Sequence, residues 1–370
     1  MKISCNRTEL LDALVGVSKA VSTKTSIPAI EGILFRCEEN SVTLTAYDLD
    51  LGIMTTIGAN VYEMGETVLN ARLLLDMVKK ITCDDIFVEC DSDMKAEIKG
   101  GITKFNFIGI PAADFPEIPV PDTQNTLTIS GANLREMIGK TIYAVSTSDQ
   151  RPVHTGSKFV MSGDTLRIVS VDGYRLAICK KEGLGLTEEK SFIVPAKTLI
   201  ETSRLIADSD CEVQIATARR YAVFTFGAYT VVTRLLEGDF LDYKKSIPDG
   251  WRTRVKIDVR ALFDAVERAA LIVNERFKSP VKLFFDNNRA VITCATALGN
   301  SYDEIDCELE GDAVEISFNN KYLLDALRYS GCDEIYLEIG GSTAPMKVVP
   351  TEGTDFLFLV LPVRTKSDRA

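Results

Sequence analysis

The chain has 370 residues, of which 46% are hydrophobic and 26% are charged, and its formal net charge is −11 at pH 7. This composition is typical of a soluble globular protein, and the length suits two or three domains. No apolar run reaches the roughly 18 residues of a membrane span, and polar residues interrupt the first dozen positions, which excludes a secretory signal. We therefore expect a cytoplasmic protein without a membrane partner.

The first third of the chain predicts two helices with strands between them. Residues 8–21 have helical apolar periodicity, and the alternating stretch 41–49 follows a turn signal as a strand. A second helix is predicted over 71–81, and the proline-rich, polar stretch 116–125 reads as a linker.

The same order then recurs twice. Helices are predicted over 131–145 and 195–206, then over 259–273 and 320–330, each pair with alternating strands between its members. A second linker is predicted at 246–253, which carries a proline and a glycine.

Charged positions in the second helix of each set align at steps of 125 and 124 residues. The aligned trios are Arg72, Lys197 and Lys321, then Asp76, Glu201 and Asp325, then Lys79, Arg204 and Arg328. The periodicity predicts three tandem copies of one α+β domain, with boundaries at 1–124, 125–251 and 252–370.

Positive charge is concentrated on the predicted helices. They carry twelve basic and eight acidic residues, a net charge of +4, so the remainder of the chain carries −15. Basic residues seven apart lie on one helix face, and the acid between them permits an ordinary intrahelical ion pair. For one helix a solvated, ion-paired face is the simpler interpretation, but its recurrence in three copies favours a surface that binds phosphate without reading sequence.

Sites of catalysis, metal binding and cofactor binding are not indicated. The only histidine, His154, has no identifiable nucleophile or orienting partner, and a structural histidine in a loop or at a strand end is the simpler interpretation. The nine cysteines include no CxxC pair, and no Walker, dinucleotide-binding or metal-ligand spacing occurs. We expect no cofactor, no metal and no enzymatic activity.

Six stretches identify a family resemblance over essentially the whole chain. They are SIPAIEGILF (26–35), LTAYDLDLGI (44–53), IPAADFPEIP (110–119), SVDGYRLAI (170–178), EGDFLDYKKSIP (237–248) and LVLPVRT (359–365). With these stretches the chain resembles the β subunit of bacterial DNA polymerase III, the sliding-clamp family.

The resemblance implies three copies of the clamp fold and a head-to-tail homodimer ring of six domains around double-stranded DNA. Helices would line the hole and sheets would form the outside. Such a clamp tethers the replicative DNA polymerase catalytic subunit, is loaded by a clamp loader, binds other proteins with a clamp-binding motif and catalyses nothing. Two alternatives stay open: a monomeric three-domain peptide-binding scaffold, and a nucleotide-processing or DNA-cleaving enzyme.

Family positions imply three sets of residues. The DNA-facing set is Lys24, Arg72, Lys79, Lys80, Arg135, Lys140, Lys197, Arg204, Lys321 and Arg328. The partner-peptide pocket is Thr155, Val171, Gly173, Tyr174, Arg175, Leu176, Leu241, Lys245, Ser246, Val360, Leu361, Pro362, Val363 and Arg364. The dimer interface is Met77, Phe105, Phe107, Leu271 and Ile272, for which ordinary core packing is the alternative.

Within the pocket, Gly173 would let a peptide approach the backbone closely. Leu176, Val360 and Pro362 would offer apolar surface to a leucine or phenylalanine anchor. Without the resemblance, the stretch around Gly173 would read as a turn between strands. The chain departs from the family at four positions, where Thr155, Tyr174, Leu241 and Ser246 replace leucine, histidine, proline and valine.

Overall fold

The structure is a computed structural model that describes residues 1–22, 25–119, 126–185, 189–206, 210–273 and 279–364. No helix in these ranges is long and apolar enough to cross a membrane.

Six α-helices lie in the described residues, two in each repeat. They are α1 (Arg7–Val17), α2 (Ala71–Lys80), α3 (Gly131–Thr141), α4 (Ala196–Leu205), α5 (Val259–Ala270) and α6 (Asn320–Ser330). All six predicted helices are confirmed, although α1 and α3 end early and continue as 3-10 turns at Ser18–Ala20 and Ile142–Ala144. Four helices begin at a residue whose side chain accepts a hydrogen bond from a backbone N–H of the first turn. These N-cap residues are Asn6 of α1, Asn70 of α2, Asp258 of α5 and Asn319 of α6.

Strands occupy most of the remaining described chain. The first repeat contains β1 (Lys2–Asn6), β2 (Gly32–Glu38), β3 (Ser41–Tyr47), β4 (Leu51–Gly58), β5 (Asn60–Glu63), β6 (Gly65–Asn70), β7 (Asp85–Cys90), β8 (Lys95–Gly100) and β9 (Thr103–Ile108). The second contains β10 (Thr126–Ser130), β11 (Gly156–Ser162), β12 (Thr165–Val171), β13 (Arg175–Glu182), β14 (Lys190–Pro195), β15 (Glu212–Ala218), β16 (Tyr221–Phe226) and β17 (Tyr229–Arg234). The third contains β18 (Thr253–Asp258), β19 (Val281–Asp286), β20 (Arg289–Thr296), β21 (Gly299–Asp306), β22 (Glu308–Gly311), β23 (Val314–Phe318), β24 (Glu334–Ile339), β25 (Met346–Pro350) and β26 (Phe356–Val360).

One compact unit comprises Met1–Leu134 and Lys197–Leu235. It holds a five-stranded sheet in the order β5-β1-β7-β8-β9 and an eight-stranded sheet in the order β10-β15-β16-β17-β4-β3-β2-β6. In the larger sheet β17 pairs antiparallel with β4, with Val231 opposite Ile53, so strands of the first and second repeats form one ladder.

The other compact unit comprises Arg135–Ala196 and Leu236–Ala370. Its nine-stranded sheet has the order β14-β11-β12-β13-β26-β25-β24-β18-β22, and its four-stranded sheet has the order β21-β20-β19-β23. Here β13 pairs antiparallel with β26, with Arg175 opposite Val360, which joins strands of the second and third repeats. Phe285, Phe318 and Phe358 are completely buried in the large apolar core of this unit.

The compact units do not follow the sequence repeats. Strands β10 and β15–β17 of the second repeat belong to one unit, and β11–β14 belong to the other. The division follows the ladders, because β17 of the second repeat pairs with β4 of the first and β13 of the second pairs with β26 of the third. The predicted boundaries at 1–124, 125–251 and 252–370 therefore describe the sequence repeats, and as domain boundaries they stay a prediction.

Candidate functional site: a peptide site and basic helices

The turn between β3 and β4 is closed by an aspartate. The Oδ1 atom of Asp48 accepts the backbone N–H groups of Asp50 at 3.1 Å and Leu51 at 2.7 Å. Leu49 between them has a φ of 79°, in the left-handed region.

The turn between β12 and β13 has the same construction. The Oδ1 atom of Asp172 accepts the backbone N–H groups of Tyr174 at 2.9 Å and Arg175 at 3.1 Å. Gly173 has a φ of 93°, and a Cβ built there would meet nothing within 4 Å. The positive φ explains the glycine, so the reading of this stretch as a turn is confirmed, while close approach of a peptide stays a prediction.

Arg175 is the residue that distinguishes the second turn. It is only 8% exposed, and its Nε donates to Asp172 at 2.9 Å while its Nη1 donates to Asp325 of α6 at 2.5 Å. Its guanidinium also lies over the rings of Tyr322 at 4.8 Å and Tyr143 at 5.3 Å. Burial opposes the charge of Arg175, but the two carboxylates outweigh it and raise the pKa. Arg175 therefore supports the site from beneath.

An aromatic side chain covers this support. Tyr174 is 61% exposed and stacks on Tyr322 with ring centroids 5.8 Å apart and an interplanar angle of 19°. Tyr322 thus contacts both the exposed ring of Tyr174 and the guanidinium of Arg175. Sequence reasoning missed Tyr322, which no local pattern singles out, because its role depends on the contact between α6 and the turn.

The C-terminal strand continues beside this turn. The backbone N–H of Leu361 donates to the carbonyl of Tyr174 at 2.9 Å, and that of Val363 donates to the carbonyl of Ser317 at 2.8 Å. Pro362 and Val363 are half-buried, and Arg364 is exposed. The structure therefore brings the predicted tail residues to the predicted turn.

The apolar residues predicted for the pocket divide into a floor and a surface. Leu176 and Val360 are buried, and their contact with the anchor of a partner peptide stays a prediction. Exposed apolar area comes instead from Leu241 and Leu361, together with the ring of Tyr174. The floor is a buried cluster of Val169, Val171, Leu176, Ile178, Tyr243 and Leu359, against which Phe240, Ile247 and Leu357 pack.

Thr155 and His154 lie in one 3-10 turn at Pro152–Thr155. The Oγ1 of Thr155 donates a hydrogen bond to the carbonyl of Pro152 at 2.7 Å, so this hydroxyl is already bonded within its own turn. His154 is buried and its ring packs edge-on against Phe240 at 5.3 Å. Burial and the charge of Arg151 lower the pKa of His154, which favours the neutral imidazole. The structural reading of His154 is confirmed, and it contacts the site more closely than sequence reasoning indicated.

The remaining two pocket residues lie at the rim. Lys245 and Ser246 are exposed in the 3-10 turn at Tyr243–Ser246, and Lys245 forms an ion pair with Asp242 at 2.9 Å.

The basic residues of α2 and α6 form no ion pairs among the residues that the structure describes. Arg72, Lys79 and Lys80 are exposed, and within the described ranges none of them forms an ion pair. On α6, Lys321 is exposed and Arg328 lies over the ring of Phe263 at 5.2 Å. The expected intrahelical pairs do not form on α6, because Asp325 is bound to Arg175.

The basic residues of α3 and α4 are more constrained. Lys197 is bound to Asp48, and Arg204 pairs with Glu201 at 2.8 Å. The side chain of Lys140 is only 15% exposed and pairs with Glu136 at 2.7 Å, whereas Arg135 is exposed. Lys140 is thus the least available cation of the predicted set, and Lys24 lies outside the described residues.

The predicted interface residues lie near two sheet edges. Phe105 and Phe107 are half-buried on β9, which ends the five-stranded sheet, and Met77 on α2 is half-buried. Leu271 directly follows α5 and is 84% exposed, which excludes core packing for this residue, while Ile272 packs against the core of its unit. Strand β21 ends the four-stranded sheet.

Groups of three or more histidine, cysteine or carboxylate residues that could hold a metal ion do not occur in the part of the chain that the structure describes. Burial raises the pKa of the thiols of Cys5 and Cys179 to about 12, which keeps them protonated.

Comparison with known proteins agrees with this arrangement. Residues 1–119, 128–242 and 244–364 match the N-terminal, central and C-terminal domains of the DNA polymerase III beta subunit. The fold and these matches define the class: a protein built from three successive α+β domains. The chain belongs to the DNA polymerase III beta subunit family.

Relatives match over nearly the full length. The beta sliding clamp of Staphylococcus aureus is 29% identical over 375 residues, which cover 99% of this chain and 100% of that protein. A putative DNA polymerase III beta subunit from Eubacterium rectale has a TM-score of 0.94 at 33% identity and covers 99% of this chain and 100% of its own. The DNA polymerase sliding clamp of Bacillus subtilis has a TM-score of 0.96 at 28% identity and covers 99% of both chains.

Proposed function

We propose that this chain is a DNA sliding clamp, which encircles duplex DNA as a homodimer and tethers the replicative DNA polymerase without catalysing a reaction. The observation that carries the proposal is the match to all three domains of one family along the chain. The cytoplasm is the compartment in which it would act.

The distribution of charge supports a sliding contact with DNA. The chain carries −11 overall, yet exposed basic residues of α2 and α6 have no acidic partners in the described residues. Contacts of this kind with phosphate are independent of sequence. With a Debye length of about 10 Å at 0.1 M salt they act only locally. A ring that is held by its topology needs no stronger attraction.

Two free edges support head-to-tail closure. Strands β9 and β21 each have a neighbour on one side only within the described sheets, and such edges invite pairing. Strand β9 carries Lys104 and no acid, whereas β21 carries Asp303, Glu304 and Asp306 and no basic residue. If β9 of one copy pairs with β21 of another, two identical contacts close a ring.

The site around Tyr174 and the tail would receive the partners. We propose that the polymerase catalytic subunit, the clamp loader and other proteins with a clamp-binding motif insert a short peptide beside Leu241 and Leu361. Exposed apolar side chains above a packed apolar floor suit a leucine or phenylalanine anchor.

The decisive experiment loads the protein onto nicked circular DNA with a clamp loader and ATP, then washes it at high salt. A ring stays on the circle until a restriction enzyme linearises the DNA. Release by salt alone, before linearisation, is the result that contradicts encirclement.

Two rival functions are tested in parallel. A single-chain mass in sedimentation at micromolar concentration would favour the monomeric scaffold. Cleavage of DNA in the presence of magnesium would favour an enzyme, with heat-treated protein as the control for contaminating nuclease.

Removal of the tail from Leu361 onward is expected to abolish binding of a polymerase-derived peptide while the dimer stays intact. The truncation spares Val360, which is buried in β26 and paired with Arg175 and Met346, so the sheet keeps its ladder. Fluorescence anisotropy measures the peptide and sedimentation the dimer. Unchanged peptide affinity would contradict the site assignment.

Alanine at Arg72, Lys79, Lys321 and Arg328 is expected to weaken loader-independent binding to linear DNA. The slope of log K against log salt should fall in magnitude by about 0.9 for each phosphate contact that is lost. A comparison variant replaces only Lys197 and Arg204, whose charges are already paired, and we expect a smaller change in the slope for each residue replaced. Equal slopes for wild type and the first variant would exclude these residues from the DNA contact.

A further inference from the structure

Three basic side chains share one face of the nine-stranded sheet. Lys158 lies opposite Val169, and Arg167 lies opposite both Val160 and Lys180. Because directly opposed residues point to the same side of a sheet, Lys158, Arg167 and Lys180 lie on the face that carries the apolar floor of the peptide site. We call these three residues, with the exposed Lys244, the basic border.

The basic border is only partly neutralised by acidic groups of the described residues. Arg167 and Lys180 are like charges directly opposite each other, an arrangement that destabilises a sheet. Lys180 pairs with Glu182 at 2.9 Å, but Lys158 lies over the ring of Phe240 at 5.8 Å. Arg167 has no ion pair within the described residues. A repulsive arrangement that is retained at the surface suggests that an external anion compensates it.

The basic border adjoins the peptide site. Phe240, under the ammonium of Lys158, directly precedes the exposed Leu241. Tyr243 is buried in the apolar floor, which lies on the same face of the sheet as Arg167. Of the acids in the same segment, Asp242 is paired with Lys245. The basic border therefore begins where the apolar contact surface ends.

The predicted DNA contact lies on the other side of this sheet. Ala177 and Phe358 point to the opposite face and belong to the core that includes Leu323 and Ala326 of α6. Since α6 also carries Lys321 and Arg328, DNA that contacts those residues would not reach the basic border. The occupant must come from the side on which partner peptides dock.

From this geometry we infer that the basic border binds an acidic segment next to the docking peptide of a partner protein, so that the clamp prefers peptides flanked by aspartate or glutamate. The inference rests on the proposed function, because it extends the same peptide site. Charge complementarity at the rim of an apolar contact adds selectivity and salt dependence.

The test compares fluorescent peptides that contain a Leu-Phe anchor, either alone or with three glutamates added at the N-terminal or the C-terminal side. One of the extended peptides is expected to bind wild-type dimer about tenfold more tightly at 50 mM salt, and the gain should shrink at 500 mM. In the variant K158Q/R167Q/K180Q the gain should disappear, while the plain peptide binds as before.

A matched control variant removes the same number of positive charges from a different surface. The variant R72Q/K79Q/K80Q removes three basic residues from α2 and should retain the gain for the acidic peptide. Thermal melting checks that both variants are folded, and single substitutions R167Q and K180Q, each with a partial loss of the gain, replace the triple variant if it unfolds.

Three results would overturn the inference. The first is equal affinity of wild type for plain and acidic peptides, and the second is a gain that persists without the basic border. The third is tight binding of an oligo(dT) probe that depends on the basic border while acidic peptides gain nothing, which would assign the surface to nucleic acid. Failure of the plain peptide to bind at all is distinct, because it refutes the proposed peptide site itself and the extension with it.

Discussion

Replacing Arg175 with alanine is expected to lower the free energy of unfolding by about 3–5 kcal/mol. The change leaves the carboxylates of Asp172 and Asp325 largely buried without their shared cation, and it removes the guanidinium that lies over the rings of Tyr322 and Tyr143. Urea denaturation followed by circular dichroism should show an earlier transition. Peptide affinity should fall as well, because Tyr322 loses the support beneath it.

Exposed arginine provides the control for this variant. Arg204 also pairs with an acid, Glu201, but most of its side chain is exposed. An exposed pair contributes about 0–1 kcal/mol, so Arg204→Ala should change the free energy of unfolding by less than about 1 kcal/mol. If Arg175→Ala is equally mild, the buried triad does not stabilise the unit. A double variant, Arg175→Gln with Asp325→Asn, should cost less than the sum of its single changes, because the two residues interact directly.

Aspartate at Phe105 and Phe107 together is expected to dissociate the dimer. Both rings are half-buried on the free edge strand β9, and burying a carboxylate in their place would be unfavourable. Because a head-to-tail ring contains two such interfaces, a loss of about 2 kcal/mol at each position sums to about 8 kcal/mol per dimer and raises the dissociation constant by about a million-fold. Sedimentation velocity at micromolar concentration should then show single chains, and retention on nicked circular DNA should be lost.

The control for this variant is Phe87→Asp. Phe87 lies on β7 of the same sheet and is exposed. It points to the opposite face, since it is opposite Lys99 and not Ile98. We expect this variant to remain dimeric. A dimer that survives the double change at β9 would place the interface elsewhere.

Local patterns were sufficient to predict the repeated helices. The six predicted helices match α1–α6 within a few residues at their ends. Asn70 and Asn319 cap the starts of α2 and α6. The buried Leu74 and Leu323 follow each cap by four residues. Such signals are local, so they can be read from one sequence.

The components of the peptide site were only partly predictable. The motifs singled out the turn at Gly173 and the tail at Leu361, which the structure joins by a backbone hydrogen bond. The burial of Leu176 and Val360, and the contacts of His154 and Tyr322, were not predictable from spacing. Each of these depends on residues far away in sequence that pack against one another.

By itself the sequence determined that this protein is one α+β module repeated three times, with positive charge gathered on its helices. Only the tertiary structure decided which of those charges remain unpaired, because Asp325 bonds to Arg175 150 positions away and not to the bases on its own helix. It also decided how the repeats divide into compact units, since β4 pairs with β17 and β13 with β26. The reason is the same in both cases: ion pairs and strand ladders form between groups that are close in space, and separation along the chain does not reveal which groups those are.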